Sequence, residues 1–235
     1  MSKIVDWYSV IPKTFLQQSH NPHESRHHLT IPMRMLMIGS SGSGKTQSLL
    51  SIIHSMPDTF QNIFIITKNK DEPLYNYLES QFKGHDGFSI KEGISELPDI
   101  DTLNKKQNNL IVLDDLVGER NQKPIEEFFL RARKKNCSMI YLSQSYYAVP
   151  KMIRNNLTYL LIKQVSSMKN LTMIAREYSL GYDKSTIHDI YKDATANKQS
   201  FLLLDLDHPD RKFRKDFSLK YVIDEATENI SLELI

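Results

Sequence analysis

The chain has 235 residues, a net charge of +2 and a single cysteine, Cys137. That length suits one α/β domain with modest additions, and a 40% hydrophobic content is enough for a sizeable core. An internal disulfide is excluded, no apolar run is long enough to span a bilayer, and the charge is too small for coating nucleic acid by bulk attraction, so any nucleic-acid contact is local. The N-terminus lacks an apolar signal region, which together with the lone cysteine predicts a reducing compartment.

Residues 1–32 read as an extension and residues 33–235 as the main domain. In the extension Trp7, Tyr8, Ile11, Phe15 and Leu16 can pack on the domain or on a neighbour. The stretch His20–His28 is polar and histidine-rich. His23 and His27 would share a face in a helix, a spacing that metal sites use, but Pro22 favours a solvated loop.

The apolar run Met33–Ile38 predicts a buried strand. It leads into Gly39-Ser40-Ser41-Gly42-Ser43-Gly44-Lys45-Thr46, a full match to the P-loop pattern, and then into the helical stretch Gln47–Ile53. Strand, glycine-rich turn and helix start form an anion cradle, because loop amides and the helix dipole converge on phosphate oxygens. Gly39, Ser40, Ser41, Gly42, Ser43, Gly44, Lys45, Thr46 and Gln47 are the predicted nucleotide contacts. The pattern assigns Lys45 to the β- and γ-phosphates of ATP and the Thr46 hydroxyl to Mg²⁺.

Asn62–Thr67 predicts a second strand. Pro73–Phe82 predicts a helix with Leu74, Tyr77, Leu78 and Phe82 on its apolar face, and a short strand is expected near Phe88–Ile90. Leu110-Ile111-Val112-Leu113-Asp114-Asp115 has the Walker B form, an apolar strand delivering carboxylates to the ligand crevice. Asp114 is placed at Mg²⁺. Asp115 is a candidate general base, with a turn-capping role as the alternative and Glu119 as a substitute.

Ile125–Asn136 predicts a helix with a basic end, Arg131 to Lys135. The strand Ser138–Ser143 ends in Gln144. Inserted between the P-loop strand and the Walker B strand, it would aim that amide at the γ-phosphate. A short helix from Val149 to Arg154 and a strand over Tyr159–Lys163 follow. Residues 168–197 then predict two helices split at Gly181. Ser200–Asp205 and Lys212–Phe217, joined by the turn His208-Pro209-Asp210, predict a closing β-hairpin; its second arm alternates Phe with basic residues, so one side can face water or nucleic acid, with a solvated edge strand as the alternative.

These motifs, in this order, resemble the FtsK–HerA superfamily of P-loop ATPases, and within it the viral branch of DNA-packaging ATPases from poxviruses, giant DNA viruses and virophages. The resemblance covers residues 31–217 and includes Ser143-Gln144-Ser145-Tyr146-Tyr147 and Leu203-Leu204-Asp205. It implies a RecA-like α/β fold: a central, mostly parallel sheet flanked by helices, here with the C-terminal β-hairpin. It implies ATP hydrolysis with Mg²⁺ in a homo-oligomeric ring, a hexamer or pentamer, that moves double-stranded DNA into a capsid. Capsid vertex or inner membrane proteins are implied partners, and the host cytoplasm or viral factory, or the virion, the implied location. It also implies an arginine supplied in trans, for which Arg131, Arg133 and Arg154 are the candidates, Arg133 or Arg131 preferred. Many relatives outside the viral branch carry Asp-Glu where this chain has Asp114-Asp115. A P-loop small-molecule kinase with residues 131–135 as its lid, and a nucleotide-gated assembly protein, are the alternative readings.

Overall fold

The computed structural model describes residues 4–12, 19–178, 181–224 and 229–235. Phe15, Leu16 and the side chain of Tyr8, all predicted to pack, lie outside the described parts. Two short helices, α1 (Trp7–Val10) and α2 (Glu24–His27), precede the P-loop strand β1 (Arg34–Ile38). Then come α3 (Lys45–Ser55), β2 (Asn62–Thr67), α4 (Pro73–Gln81), β3 (Phe88–Glu92), β4 (Asn109–Asp114), α5 (Lys123–Arg131) and β5 (Cys137–Ser143). The chain continues with α6 (Lys151–Arg154), β6 (Tyr159–Ile162), α7 (Met168–Glu177), α8 (Lys184–Ala194) and strands β7 (Leu202–Asp205), β8 (Phe213–Lys215), β9 (Leu219–Ile223) and β10 (Ile230–Leu234).

All ten of these strands belong to one sheet, in the order β10-β9-β8-β7-β6-β1-β5-β4-β2-β3. The six from β6 to β3 are parallel; β7 to β10 add antiparallel. The predicted insertion of β5 between β1 and β4 is present. The predicted hairpin is β7–β8, and it extends through β9 and β10 into a four-stranded antiparallel wing.

Every residue of β4, β5 and β6 is buried, as expected of parallel strands covered on both faces. Side chains alternate between two cores with the period of two that a strand imposes. Leu36, Ile38, Ile111, Leu113, Met139 and Tyr141 pack with residues of α5, α7 and α8. Met35, Met37, Leu110, Val112, Ile140 and Leu142 pack with α3, α4 and Leu29. Each such aliphatic side chain contributes roughly 1.5–3 kcal/mol by burial. The two cores clamp the sheet and hold its carboxyl edge, where the crevice opens, in fixed register.

Three local expectations are corrected. The histidine-rich segment is not a loop: its centre is the one-turn helix α2. The helix expected over Ile125–Asn136 stops at Arg131 and tightens into a 3-10 turn over Ala132–Lys135, closed by Asn136 in a left-handed conformation (φ 51°). The apolar face of α4 is set by Tyr75 and Leu78, whereas Tyr77 is 58% exposed.

The stretch 19–32 is tied to the domain. Asn108 Nδ2 donates to the His20 carbonyl at 2.7 Å, and the Tyr159 hydroxyl accepts from the Thr30 N–H at 3.0 Å. The basic side of β8 neither faces outward nor lies on an edge: β8 is paired on both sides, and the fully buried Arg214 guanidinium donates to the carbonyls of His27 (2.7 Å) and His28 (3.0 Å). Further out, Trp7 is 67% exposed.

Candidate active site

β1 ends at Ile38 and the chain turns sharply under its neighbours. The Gly39 N–H donates to Ser143 O (3.2 Å) and the Ser40 N–H to Gln164 O (2.9 Å), which staples the loop to the ends of β5 and β6. Those two amides are therefore occupied by the fold. Gly39 has to be glycine: a Cβ there would lie 2.7 Å from Lys163 Cβ and against Ser43 Oγ. Gly44, the N-cap of α3, has φ 88° and no side chain to cap the helix. The N–H groups of Lys45, Thr46 and Gln47 open that helix and lack intrahelical acceptors, so they are available to an anion. Ser41, Gly42, Gly44, Lys45, Thr46 and Gln47 line a cavity of about 480 Å³, a volume typical of small-ligand sites.

The Lys45 ammonium, half-buried, donates to Gly39 O (2.8 Å) and Ser40 O (3.1 Å). Burial pulls its pKa below the usual lysine value, and Asp114, Asp115 and Glu72 oppose that shift. Parallel pairing of β4 with β2 and β5 brings Asp114 level with Thr67 and Leu142 at the carboxyl edge. Asp114 Oδ2 accepts from the Tyr75 hydroxyl at 2.7 Å. Burial nevertheless pushes the Asp114 carboxyl up to about 6, against the Tyr75 hydrogen bond and the Lys45 charge, which lower it.

Asp115 turns out of the strand in a left-handed conformation (φ 54°), uncommon for a residue with a side chain. It stands at the start of the next 3-10 turn without making a side-chain cap bond. Its Oδ1 accepts from Gln144 Nε2 at a long 3.5 Å. The two strand-end groups predicted to act on a water are thus neighbours on one cavity wall.

The opposite wall was not foreseen. Lys163, which follows β6, is fully buried, and its ammonium donates to the carbonyls of Lys198 (2.7 Å), Gln199 (3.0 Å) and Ser200 (2.9 Å). Burial lowers this lysine to about 8, against the Asp216 charge, which raises it. The clamp holds the 198–200 backbone beside Gly44, and Lys198 lines the cavity. Glu72 and Leu74, from the start of α4, complete the lining. Their position was readable in principle: a segment following a parallel strand lies at the carboxyl edge, and residues 68–74 follow β2.

The three arginines lie elsewhere. Arg131 is paired with Asp101 (2.6 Å) and Glu127. Arg154 is buried, 2.5 Å from Glu177 and 4.8 Å from the centre of the Tyr146 ring. Arg133 is exposed, without an ion pair among the described residues, and close enough to Arg34 that, after burial, its charge is the main force lowering the Arg34 pKa. The basic turn 132–135 precedes β5, whose far end reaches the cavity, so it sits roughly 20 Å from this chain's own P-loop. A lid over that cavity is out of its reach, which removes the support for the kinase reading.

The donor set fits a divalent cation. Among the described residues, Asp114 is a buried carboxylate with one hydroxyl donor and no ion pair, beside the cavity-lining Thr46. The His23/His27 spacing does not make a second centre: His27 is buried, its Nδ1 accepts from the Leu29 N–H at 3.0 Å, and burial drives it down to about 4. Among the described residues no three His, Cys, Asp or Glu side chains converge as metal ligands.

Comparison with known proteins agrees with this architecture. The fold is similar to that of the genome packaging NTPase B204 from Sulfolobus turreted icosahedral virus 2 in complex with ATPγS, with a TM-score of 0.54, 12% identity, and coverage of 88% of this chain and 100% of that one. The DNA-packaging ATPase B204 from Sulfolobus turreted icosahedral virus aligns with a TM-score of 0.51 at 13% identity, over 88% and 100% of the two chains. In sequence, the chain is 32% identical over 142 residues to the DNA packaging protein OPG160 of variola virus, and equally to that of vaccinia virus (strain Copenhagen). Those alignments take in 56% of this chain and 53% of each relative, so the match spans about half the length of the relatives. The profile of the family described as the poxvirus A32 protein matches residues 23–214, and the chain belongs to that family.

Proposed function

We propose that the chain is an ATP-hydrolysing motor that moves double-stranded DNA into a viral capsid. The observation carrying this reading is the convergence, in one cavity, of the P-loop, Lys45, the Asp114–Asp115 pair and Gln144. In this reading the amides at Ser41–Gly42 and Gly44–Gln47 hold the phosphates of ATP, and Lys45 exchanges its two loop carbonyls for phosphate oxygens. Gly39, Ser40 and Ser43 shape the loop from behind. Thr46 and Asp114 would hold Mg²⁺, which would supply positive charge to the phosphate oxygens. Asp115 and Gln144 orient a water in line with the terminal phosphorus. Asp115 is shorter than the glutamate that many FtsK–HerA ATPases outside the viral branch have there, so it must stand closer to that water.

The work of translocation needs subunits that act on one another. We take the protein to form a ring, a hexamer or pentamer, on a capsid vertex or inner membrane protein, in the host cytoplasm or viral factory or with the virion. Among the described residues no helix is long and apolar enough to cross a membrane. Arg133 is the favoured residue in trans, since it is exposed, without an ion pair among the described residues and far from its own cavity, whereas Arg131 and Arg154 are committed to carboxylates. Residues 1–32, apart from the tied stretch 19–32, serve as an extension available to a neighbour.

The test is a mixing titration. Arg133→Ala should bind ATP normally and not hydrolyse it, and should depress wild-type turnover more steeply than its mole fraction. Turnover strictly proportional to the wild-type fraction would argue against a shared site.

A further inference from the structure

We propose that Glu72 is the catalytic carboxylate that takes the proton from the attacking water, with Asp115 and Gln144 orienting that water. The proposal deepens the hydrolytic reading above and rests on it.

Four observations carry it. First, Glu72 lines the cavity formed by the P-loop and the Walker B end, facing Lys45, Asp114 and Asp115. Its charge acts on Lys45, Asp114 and Tyr75, a group on each of three separate elements. Second, no structural duty accounts for it. Glu72 is the N-cap of α4, and its carboxylate makes no capping bond. Among the described residues it makes no ion pair either, although its backbone carbonyl accepts from Tyr75 and Asn76. Third, its position is fixed from both sides. The Lys68 N–H donates to the Asp114 carbonyl (3.2 Å), and one turn into α4 the Tyr75 hydroxyl donates to the Asp114 carboxylate (2.7 Å). Fourth, Glu72 also borders the adjoining cleft lined by Thr67, Lys68 and Asp71, so it stands where the nucleotide cavity meets solvent, on a route for water to enter and a proton to leave.

Asp115 is less suited to the proton itself. Its backbone is turned out of the strand, and its Oδ1 already accepts from Gln144. A glutamate reaching from a different strand end has one more methylene and a free carboxylate. In the step, the water oxygen bonds to the γ-phosphorus while the bond from that phosphorus to the β–γ bridging oxygen breaks. The electron pair leaves with ADP, the water proton passes to Glu72, and Glu72 releases it to the cleft. The sum is ATP and water giving ADP, phosphate and a proton.

The experiment compares wild type, Glu72→Gln, Asp115→Asn and Lys45→Ala in full-length protein, measuring mant-ATP affinity and single-turnover phosphate release. Glu72 is only partly buried and glutamine is its isostere, so the variant should fold with an unchanged melting temperature. The expected result is a fall in rate of about 10²–10⁴-fold with mant-ATP affinity within about twofold of wild type. A rate within about threefold of wild type overturns the assignment, and a large loss confined to Asp115→Asn returns the base to Asp115. If wild type binds mant-ATP no better than Lys45→Ala does, the nucleotide reading itself fails, and the Glu72 proposal with it.

Discussion

Replacing Asp114 by asparagine removes a buried charge while keeping the side chain's shape and its role as acceptor for the Tyr75 hydroxyl. The Asp114 carboxyl has an ordinary value of 3.8 and is raised to about 6 in the fold, chiefly by burial. At about 1.36 kcal/mol per pH unit, that difference is on the order of 3 kcal/mol of destabilisation when the group is ionised. The direction follows from proton counting. Between pH 4 and 6 the folded chain holds the proton more tightly than the unfolded one, so stability falls as pH rises through that window. The asparagine amide does not titrate. The Asp114→Asn protein without nucleotide should therefore exceed wild type by about 3 kcal/mol at pH 7.5 and by only about 1 kcal/mol at pH 4.5. For a chain of this size that is a melting temperature higher by about 6–12 °C at pH 7.5. Thermal unfolding followed by circular dichroism across this pH range measures it, and phosphate release by the same variant should be lost. Equal melting temperatures at pH 7.5, or an increment that does not change with pH, would refute the burial argument and the metal role built on it.

Two further substitutions probe the walls of the cavity. Tyr75→Phe deletes the hydroxyl that favours ionised Asp114, a bond to a charged group worth about 1.5–3 kcal/mol, so the acid limb of hydrolysis should move up by about 1–2 pH units. An unshifted limb would show that Asp114 ionisation does not govern the rate. Lys163→Met leaves the carbonyls of Lys198, Gln199 and Ser200 without their shared donor and should lower stability by about 2–4 kcal/mol and weaken mant-ATP binding, read by melting and fluorescence titration. Unaltered mant-ATP affinity in a folded Lys163→Met protein would mean that the 198–200 wall plays no part in the site.

Much of this molecule could be read from periodicity and motif. The runs at Met35–Ile38, Leu110–Leu113 and Met139–Leu142 are apolar without interruption because both sheet faces are covered, and each leads straight to a chemical residue: Gly39, Asp114 and Gln144. What stayed hidden arises from contacts across the chain. Tyr75 was invisible because its partner is 39 positions away and its burial comes from tertiary packing. The true face of α4 differs from the expected one because Leu74 turns to the cavity, and an apolar residue at a ligand site mimics a core position. Lys163 reads as an ordinary strand end until the loop 198–200 folds over it. The histidine-rich segment misleads for the opposite reason: its composition suggests solvent, but backbone carbonyls of His27 and His28 are wanted by the buried Arg214. Among the arginines, sequence could name Arg131, Arg133 and Arg154 but not their partners, and the partners separate them.

The most direct measurement is phosphate release from ATP and Mg²⁺, with and without double-stranded DNA, over a range of protein concentrations. A DNA-driven motor whose subunits complete one another's sites predicts turnover that DNA stimulates and that rises more steeply than linearly with protein. Turnover that ignores DNA and scales linearly with protein would contradict the account.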